Sequence, residues 1–242
     1  SGYQTSGFSN FQAPFDVQAR STFNQWVNRE PRFYVGLPSH PSYWPDQGTA
    51  TADNPVIVTY GKQKGNSGAK QSDHDYTPTG YNVRKQLTVS HNNRGWCYIR
   101  LAQIYLDYAE ALNESDPGNS DILKYLNLIR VRAGVPIYGN GANDIPVPTS
   151  QSAMRTAIWH ERQVELAFEN VRYFDIRRWK IAPQTMGEDA YGMNMQGTDP
   201  NDADFYQKTL DQRRRFLQRD YLWPIPYTEI LKDNLLVQNP GW

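Results

Sequence analysis

Apolar residues recur at helical spacing only in the second part of this 242-residue chain. Over residues 96–114 they return every three or four positions, and additional apolar residues widen the stripe, which predicts a helix buried on more than one face. A second repeat over residues 122–132 follows Ser120, its predicted N-cap, and ends at Gly134, a typical C-terminal signal. The two helices form an αα-hairpin reminiscent of one tetratricopeptide unit, which needs neighbours to bury its faces.

Two further helical segments follow a turn-rich loop. Thr149 or Ser150 is the predicted cap of a helix that runs to about residue 170. Residues 173–180 either continue this helix or pack beside it. Residues 182–220 show little apolar periodicity and are predicted to be loop.

Residues 1–91 have little helical periodicity and many breaker residues. The spacing predicts a helix over about residues 19–28 and short strands over residues 32–37 and 55–60. Between the strands, residues 39–54 form a long loop, and long loops in compact domains tend to carry function.

The last segment, residues 221–242, is predicted to be ordered. Pro224 and Pro226 restrict an extended stretch, a short helix begins near Thr228, and an Asn-Pro-Gly sequence makes a turn. Large apolar side chains are costly to leave in water, so we expect this segment to dock on a core through Tyr221, Leu222, Trp223 and Ile225.

Charged residues balance, with 25 Lys and Arg against 25 Asp and Glu, and the two signs are interspersed. This pattern indicates no nucleic-acid partner, and the basic run at residues 213–215 is interpreted as a solvated turn. The single cysteine, Cys97, excludes an intramolecular disulfide and is expected to be a buried, inert thiol. No apolar run approaches the roughly 20 residues that span a bilayer.

Motifs for catalysis and metal binding are incomplete. His160 and Glu161 begin like a zinc-protease motif, but Val164 stands where the second histidine ligand is needed. No nucleophile elbow, P-loop or dinucleotide fingerprint occurs, so we predict no cofactor. Four residues offer oxygens to calcium, yet they lack the central glycine of an EF-hand loop, and a solvated acidic loop is the favoured interpretation: Asp199, Asn201, Asp202 and Asp204.

Carboxylates and guanidinium groups are concentrated around the helix predicted to end at about residue 170. Glu161 and Glu165 share a helix face at a spacing of four residues, which is compatible with an acid/base pair. Neighbouring arginines favour another interpretation, because they keep carboxylates ionised and a general acid needs a raised pKa. We therefore expect a structural ion network that joins two helices and also includes Asp175, Arg162, Arg172, Arg177 and Arg178.

Aromatic residues in the loop-rich part are candidates for ligand binding. Flat apolar rings beside polar side chains suit the C–H face and the hydroxyls of a sugar, although such rings also cover helices. The candidate residues are Tyr3, Asn10, Phe11, Tyr43, Trp44 and Asp46, with Phe8 and Gln47 beside them.

Four blocks, in this order, resemble the SusD/RagB family of nutrient-binding outer-membrane lipoproteins: WCYIRLAQIYLDYAEALNE (96–114), ILKYLNLIRVRAGVP (122–136), IWHERQVELAFENVRYFDIRRWK (158–180) and YLWPIPYTEILKDNLLVQNPGW (221–242). Two segments of the loop-rich part, EPRFY (30–34) and PTGYNVRK (78–85), also look like family segments. The resemblance is to the C-terminal half of the family, whose members are about twice as long as this chain.

The resemblance implies a mainly α fold with long irregular loops and a few short strands, on a TPR-like α-α superhelix scaffold. Residues 1–95 would be the loop-rich, ligand-facing part and residues 96–242 the helical part of one domain. Because most helices and the lipidated cysteine of the family precede the matching region, we expect this chain to be truncated. Apolar faces of residues 96–134 would then be exposed and form a self-association surface or contact a partner chain.

The family also implies a function. Its members bind an oligosaccharide or another nutrient without catalysis and deliver it to a SusC-like, TonB-dependent transporter, so loop aromatics centred on Trp44 would contact the glycan. The location implied is the outer-membrane surface, with an N-terminal lipid anchor that is absent from this chain. Two alternatives stay open: a helical-repeat protein–protein interaction module without a small ligand and, less favoured, a glycoside hydrolase that uses Glu161 or Glu165.

Overall fold

The computed structural model describes residues 6–14, 16–43, 57–58, 77–85, 97–195 and 203–242, and helices dominate these ranges. The helices there are α1 (Pro31–Gly36), α2 (Leu101–Ser115), α3 (Ser120–Ala133), α4 (Gln151–Glu165), α5 (Val171–Arg178), α6 (Ala182–Met186) and α7 (Tyr227–Ile230). The strands are β1 (Phe8–Phe11), β2 (Arg20–Phe23), β3 (Ser42–Tyr43), β4 (Ile57–Val58), β5 (Ala190–Gly192) and β6 (Thr209–Gln212). They pair in sequence order as three separate antiparallel ribbons. The predicted mainly α fold with a few short strands is confirmed.

Helices α2, α3 and α4 surround the helical core, in which Leu106, Leu126 and Ile158 are fully buried. Local signals set their ends. Gly134 takes the left-handed conformation (φ 68°) after α3, and the Ser150 hydroxyl accepts a hydrogen bond from a backbone N–H at the start of α4, as predicted. The N-cap of α3 is Asn119 rather than Ser120, because the Asn119 side chain accepts the N–H of Asp121 at 2.9 Å.

Helix α2 is buried on one face only, so the prediction of burial on more than one face is wrong. Ala102, Leu106 and Ala109 belong to the helical core. The α2 outer face, together with the residues before it, leaves large apolar side chains in solvent: Tyr98, Ile99, Leu101, Ile104 and Tyr108. The structure therefore has the exposed apolar surface on residues 96–134 that the family resemblance led us to expect.

Helix α2 begins at Leu101, later than the predicted start at residue 96. Residues 97–100 precede the helix, and Arg100 is extended (φ −127°, ψ 159°). Cys97 lies in this non-helical segment and is exposed, which corrects the expectation of a buried thiol.

Two predictions in the loop-rich part are wrong. Residues 19–28 contain β2 and a 3-10 turn instead of a helix, because β2 pairs with β1 and places Phe23 opposite Phe8. Residues 32–37 lie mostly in α1 rather than in a strand, because Pro31 at the first helical turn fixes a φ suited to a helix. The predicted strand at residues 55–60 contains β4, which pairs with β3.

A second, aromatic core joins the first hairpin to Met193, Phe205 and Tyr206. Phe23 stacks on Tyr206 with ring centroids 4.0 Å apart and an angle of 5°. Trp26, Met193 and Phe205 complete this core. Residues 182–220, predicted to be loop, therefore contribute buried side chains as well as α6, β5 and β6.

The helix predicted to run to about residue 170 ends at Glu165, and α5 is a separate helix. Phe168 and Asn170 have left-handed φ angles of 64° and 62°, which a continuous helix cannot accommodate. The predicted segment at residues 173–180 is confirmed as α5.

The segment at residues 221–242 is ordered but does not dock on a core, so that prediction is wrong. Trp223 is 74% exposed. Polar contacts within the segment hold it instead: the Gln238 side chain bonds the backbone N–H and C=O of Ile225 at 2.9 Å, and the Trp242 indole donates to the Leu222 carbonyl at 3.2 Å. The short helix near Thr228 is present as α7.

Among the residues that the structure describes, none of the helices combines the length and the apolar character required to cross a membrane.

Candidate functional site

Several predicted ligand-binding residues lie outside the described ranges: Tyr3, Trp44 and Asp46, together with Gln47. The backbone of Tyr43 is described and forms β3. Asn10 is exposed on β1, opposite Ser21 of β2. Phe11, on the same strand, is half-buried, and its ring centroid lies 5.9 Å from that of Tyr34. Asn10 is therefore available to a ligand, while Phe11 also packs against α1.

In the described part of this candidate site, residues next to β1 and in β3 line the same small cavity. Ala13, just after β1, and Ser42, in β3, both line a cavity of about 10 Å³ next to Tyr34. The end of β1 and the start of β3 are therefore neighbours. This contact places Asn10 and Phe11 in the same region as the Tyr43 backbone, although these residues are separated by about thirty positions in the sequence.

Phe8, an aromatic residue of the loop-rich part, packs against other aromatic rings. Its ring makes edge contacts with Phe23 at 5.3 Å and with Tyr206 at 6.0 Å. It packs against the aromatic core rather than standing in a loop.

The predicted ion network is confirmed and centres on the buried face of α4. Arg32 of α1 donates to Glu161 at 2.6 Å and to Glu165 at 3.0 Å. Arg130 of α3 donates to the other oxygen of Glu161 at 2.5 Å. Because Glu161 is only 1% exposed, its charge is compensated by these two guanidinium groups instead of by water.

Glu165 extends the network to the segment before α2. It accepts hydrogen bonds from Arg100 at 2.6 Å and from Arg132 at 2.5 Å. Arg100 also holds Glu169 through two hydrogen bonds of 2.6 and 2.8 Å, and Lys85 contacts Glu169 at 2.6 Å. Burial would raise the pKa of Glu169, but the hydrogen bonds from Arg100 and Lys85 keep it below its ordinary value.

A second branch of the network joins α2, α4 and α5. Arg162 binds both oxygens of Asp175 at 3.0 Å, and Arg178 binds both oxygens of Glu110 at 2.5 and 2.6 Å. The indole of Trp179 donates to Glu110 at 2.7 Å. Burial would raise the pKa of Glu110, but these hydrogen bonds and the positive charges lower it below its ordinary value.

The membership of the network differs from the prediction in two ways. Arg172 and Arg177 make no ion pair within the described ranges, although the sequence placed them with the others. Arg32, Arg100 and Arg130 were missed, because they lie far from α4 in the sequence and nothing in their local pattern signals the contact. The network links several elements rather than only two helices.

A groove of about 750 Å³ lies beside the second branch, between the segment before α2 and helix α5. Tyr98 and Phe174, both largely exposed, line it together with Asp107, Glu110 and Arg178. The sequence did not reveal this groove, because Tyr98 was assigned to the buried stripe of a longer helix.

The calcium candidates stay largely untested. Asp199, Asn201 and Asp202 lie outside the described ranges, and Asp204 accepts a hydrogen bond from Gln207 at 2.9 Å. Among the described residues, no group of three or more His, Cys, Asp or Glu side chains is arranged for metal binding. In the basic run, Arg213 and Arg215 are exposed, as expected for a solvated turn, while the backbone N–H of Arg214 donates to Asp189 at 3.2 Å.

Comparison with known proteins gives a consistent result. The model of the SusD family matches residues 2–242. The SusD-like protein P2 of Formosa agariphila is 35% identical over 145 residues, which are 60% of this chain and 25% of that protein. The chain therefore spans about a quarter of the length of this relative.

Solved structures share the fold. A SusD-like protein from Bacteroides fragilis superposes with a TM-score of 0.70 and 29% identity, covering 90% of this chain and 39% of that one. A SusD-like carbohydrate-binding protein from the same species gives a TM-score of 0.64 at 24% identity, covering 92% of this chain and 43% of that one.

Proposed function

Because this chain belongs to the SusD family, we propose that it binds an oligosaccharide or another nutrient and catalyses no reaction on it. The observation that carries this proposal is the agreement of fold and family over nearly the whole chain, since one protein of the same fold is described as carbohydrate-binding. Fold alone does not define function, so the residues of the site must support the ligand class.

The proposed ligand site is built on the loop aromatics next to β1 and β3. Trp44 and Tyr43 supply rings for the C–H face of a sugar, and Asn10 and Asp46 supply hydrogen bonds to hydroxyls. The exposure of Asn10 and the proximity of β1 to β3 support this arrangement. Phe11 and Tyr3 are the remaining candidates for ligand contact, and Phe11 also anchors β1 to α1 through Tyr34.

The geometry of the α4 carboxylates supports binding without hydrolysis. Both oxygens of Glu161 accept hydrogen bonds from guanidinium groups, and its side chain is buried. A general acid or base must reach the substrate within hydrogen-bond distance. Glu161 and Glu165 are therefore assigned to scaffold stability, and the glycoside hydrolase is the less favoured alternative.

We place the protein at the surface of the outer membrane as a lipoprotein, where it would pass its ligand to a SusC-like, TonB-dependent transporter. Family membership supports this location and partner. Co-expression with such a transporter, followed by affinity purification from detergent extracts, tests the association. Purification of each protein without the other would contradict it.

A second candidate function is a protein–protein interaction module. The exposed apolar side chains of Tyr98, Ile99 and Ile104 favour it, because soluble proteins rarely leave contiguous apolar surface without a partner. This candidate predicts no response in a broad glycan screen, whereas the first predicts at least one binding glycan.

The ligand site is tested by replacing Trp44 or Tyr43 with alanine and measuring binding of a hit from that screen by titration calorimetry. We expect affinity to fall by about thirtyfold or more, because a central aromatic anchor contributes about 2 kcal/mol. Trp223→Ala is the matched control, since it removes an exposed tryptophan elsewhere. Unchanged affinity in the Trp44 and Tyr43 variants would exclude this site.

A further inference from the structure

A second groove, of about 670 Å³, lies between α5, α6 and the segment around Arg214. We call it the α5–α6 groove. Its lining includes Arg172, Tyr173, Gln163, Gln184 and Arg214, and the lining carboxylate is the exposed Glu188. None of these residues belongs to the ligand site proposed above.

The arginines at this groove differ from those of the ion network. The guanidinium groups of the ion network each have a carboxylate partner: Arg32, Arg100, Arg130, Arg132, Arg162 and Arg178. Arg172, by contrast, makes neither a hydrogen bond nor an ion pair in the described part of the chain; its guanidinium stands over the Trp179 ring at 5.8 Å. Arg172 is therefore a half-buried cation with no carboxylate in direct contact among the described residues.

Two further guanidinium groups add to this positive charge. The Nε of Arg214 donates to the backbone carbonyl of Glu188 at 2.8 Å, so a neutral group rather than a carboxylate is its acceptor. Arg177 contacts the lining residue Tyr173: its guanidinium is 3.5 Å from the centroid of the Tyr173 ring and donates a hydrogen bond of 3.1 Å to the Tyr173 carbonyl. Burial lowers the pKa of Arg172, and the charge of Asp175 offsets this only in part.

Two lining guanidinium groups, those of Arg172 and Arg214, outnumber the one lining carboxylate, Glu188, so the lining of this groove carries a net positive charge. We propose that the α5–α6 groove binds an oxyanion group carried by a sugar, either the carboxylate of a uronic acid or a sulfate ester. The planar guanidinium fork of Arg172 matches both groups, because it can donate two parallel hydrogen bonds to a pair of oxygens. Gln163 and Gln184 supply donors and acceptors for the sugar hydroxyls.

This inference rests on the proposed function, since it specifies an acidic glycan that contacts a second site. The test uses single sugars, so it does not depend on finding the full ligand. Three probes are added to the whole chain: galacturonic acid, glucose 6-sulfate and glucose. The readout is the NMR signal of the Arg172 side-chain Nε–H, identified by its loss in Arg172→Met.

We expect galacturonic acid, glucose 6-sulfate or both to shift this signal saturably, and glucose to leave it unchanged. If one of the two acids shifts the signal and the other does not, the result shows whether the oxyanion is a carboxylate or a sulfate ester.

In titrations, Arg172→Met should weaken binding about ten- to a hundredfold, as expected for a charge-assisted hydrogen bond. Arg172→Lys should weaken it less, because the charge stays and only the fork is lost. Arg213→Met is the matched control: it removes an exposed positive charge beside Arg214 without touching the lining.

The outcomes separate the two proposals. The absence of a saturable shift with either acid, or an equal shift with glucose, overturns the groove as an oxyanion site even if an oligosaccharide binds near Trp44. A shift of Arg172 with an acid, in a protein that binds no oligosaccharide, overturns the proposed function and supports the groove. Loss of binding in Arg213→Met as large as in Arg172→Met contradicts a specific role for Arg172.

Discussion

The guanidinium of Arg32 lies 2.6 Å from the carboxylate of Glu161, although 129 residues separate them in the sequence. Arg32 is in α1, within the loop-rich part, and Glu161 is on the buried face of α4. Since Arg130 of α3 holds the other oxygen of Glu161, one carboxylate connects three helices. The ion network therefore fixes α1, which lies in the loop-rich part, against the helical scaffold.

Replacing Glu161 by glutamine should lower the free energy of unfolding by about 3 kcal/mol, because it leaves the buried guanidinium of Arg130 without its carboxylate partner. It also removes one of the carboxylates that Arg32 contacts, although Arg32 keeps Glu30 and Glu165. Urea unfolding followed by circular dichroism measures the change. Glu229→Gln is the matched control, because Glu229 pairs with Lys232 at the surface and should contribute less than about 1 kcal/mol. Equal losses in the two variants would contradict a central role for the network.

The same Glu161→Gln variant tests catalysis. If the wild-type protein releases reducing sugar and the variant does not, the hydrolase alternative is restored.

Stability should decrease as the pH falls below about 4.5, the ordinary value for glutamate. The pKa values of Glu110 and Glu169 are lower in the folded state, so the unfolded chain binds protons first and acid favours unfolding. Their contribution is complete above the unfolded value and is lost as the pH falls through the folded values. Urea midpoints are measured from neutral pH to pH values below about 4.5. They should decline less steeply in the double variant Glu110→Gln, Glu169→Gln than in the wild type. Parallel curves would show that other groups control acid stability.

Gly80→Ala should destabilise the aromatic core by about 1–3 kcal/mol. Gly80 has φ 77°, and an added Cβ would lie 2.5 Å from the Met195 sulfur and 2.8 Å from the Met193 methyl. Gly118→Ala is the control, because its φ is also positive (90°) but no atom lies within 4 Å of the added Cβ. Thermal melting should therefore show a larger loss for Gly80→Ala. If both variants lose the same stability, the cost comes from the backbone conformation alone.

Ile104→Lys should reduce self-association without lowering stability, because Ile104 lies on the exposed face of α2. Sedimentation velocity over a range of protein concentrations measures the effect. Val237→Lys is the control, since it places the same charge at another exposed apolar position. A wild-type protein that stays monomeric throughout would exclude a second copy of the chain as the partner of this face.

Local patterns predicted those elements whose stability is mainly local. The ends of α3 and α4 follow from Gly134 and Ser150, because a glycine at a left-handed position and a capping hydroxyl act within one turn. The ion network could be anticipated from the density of opposite charges around Glu161 and Glu165. Its partners Arg32, Arg100 and Arg130 could not be, because such contacts depend on how distant segments pack. The two grooves were missed for the same reason.

The sequence by itself determined the mainly α fold, the family, and the role of the α4 carboxylates as ion-paired groups, since periodicity, blocks of similar residues and charge spacing are all local information. Only the tertiary structure decided that residues 20–23 pair as a strand with β1, that residues 32–36 belong to a helix, and that Cys97 and Trp223 are exposed. Each of these outcomes depends on which surface is available for packing. An apolar residue is buried only where another segment covers it, and the chemical nature of the residue does not specify that segment.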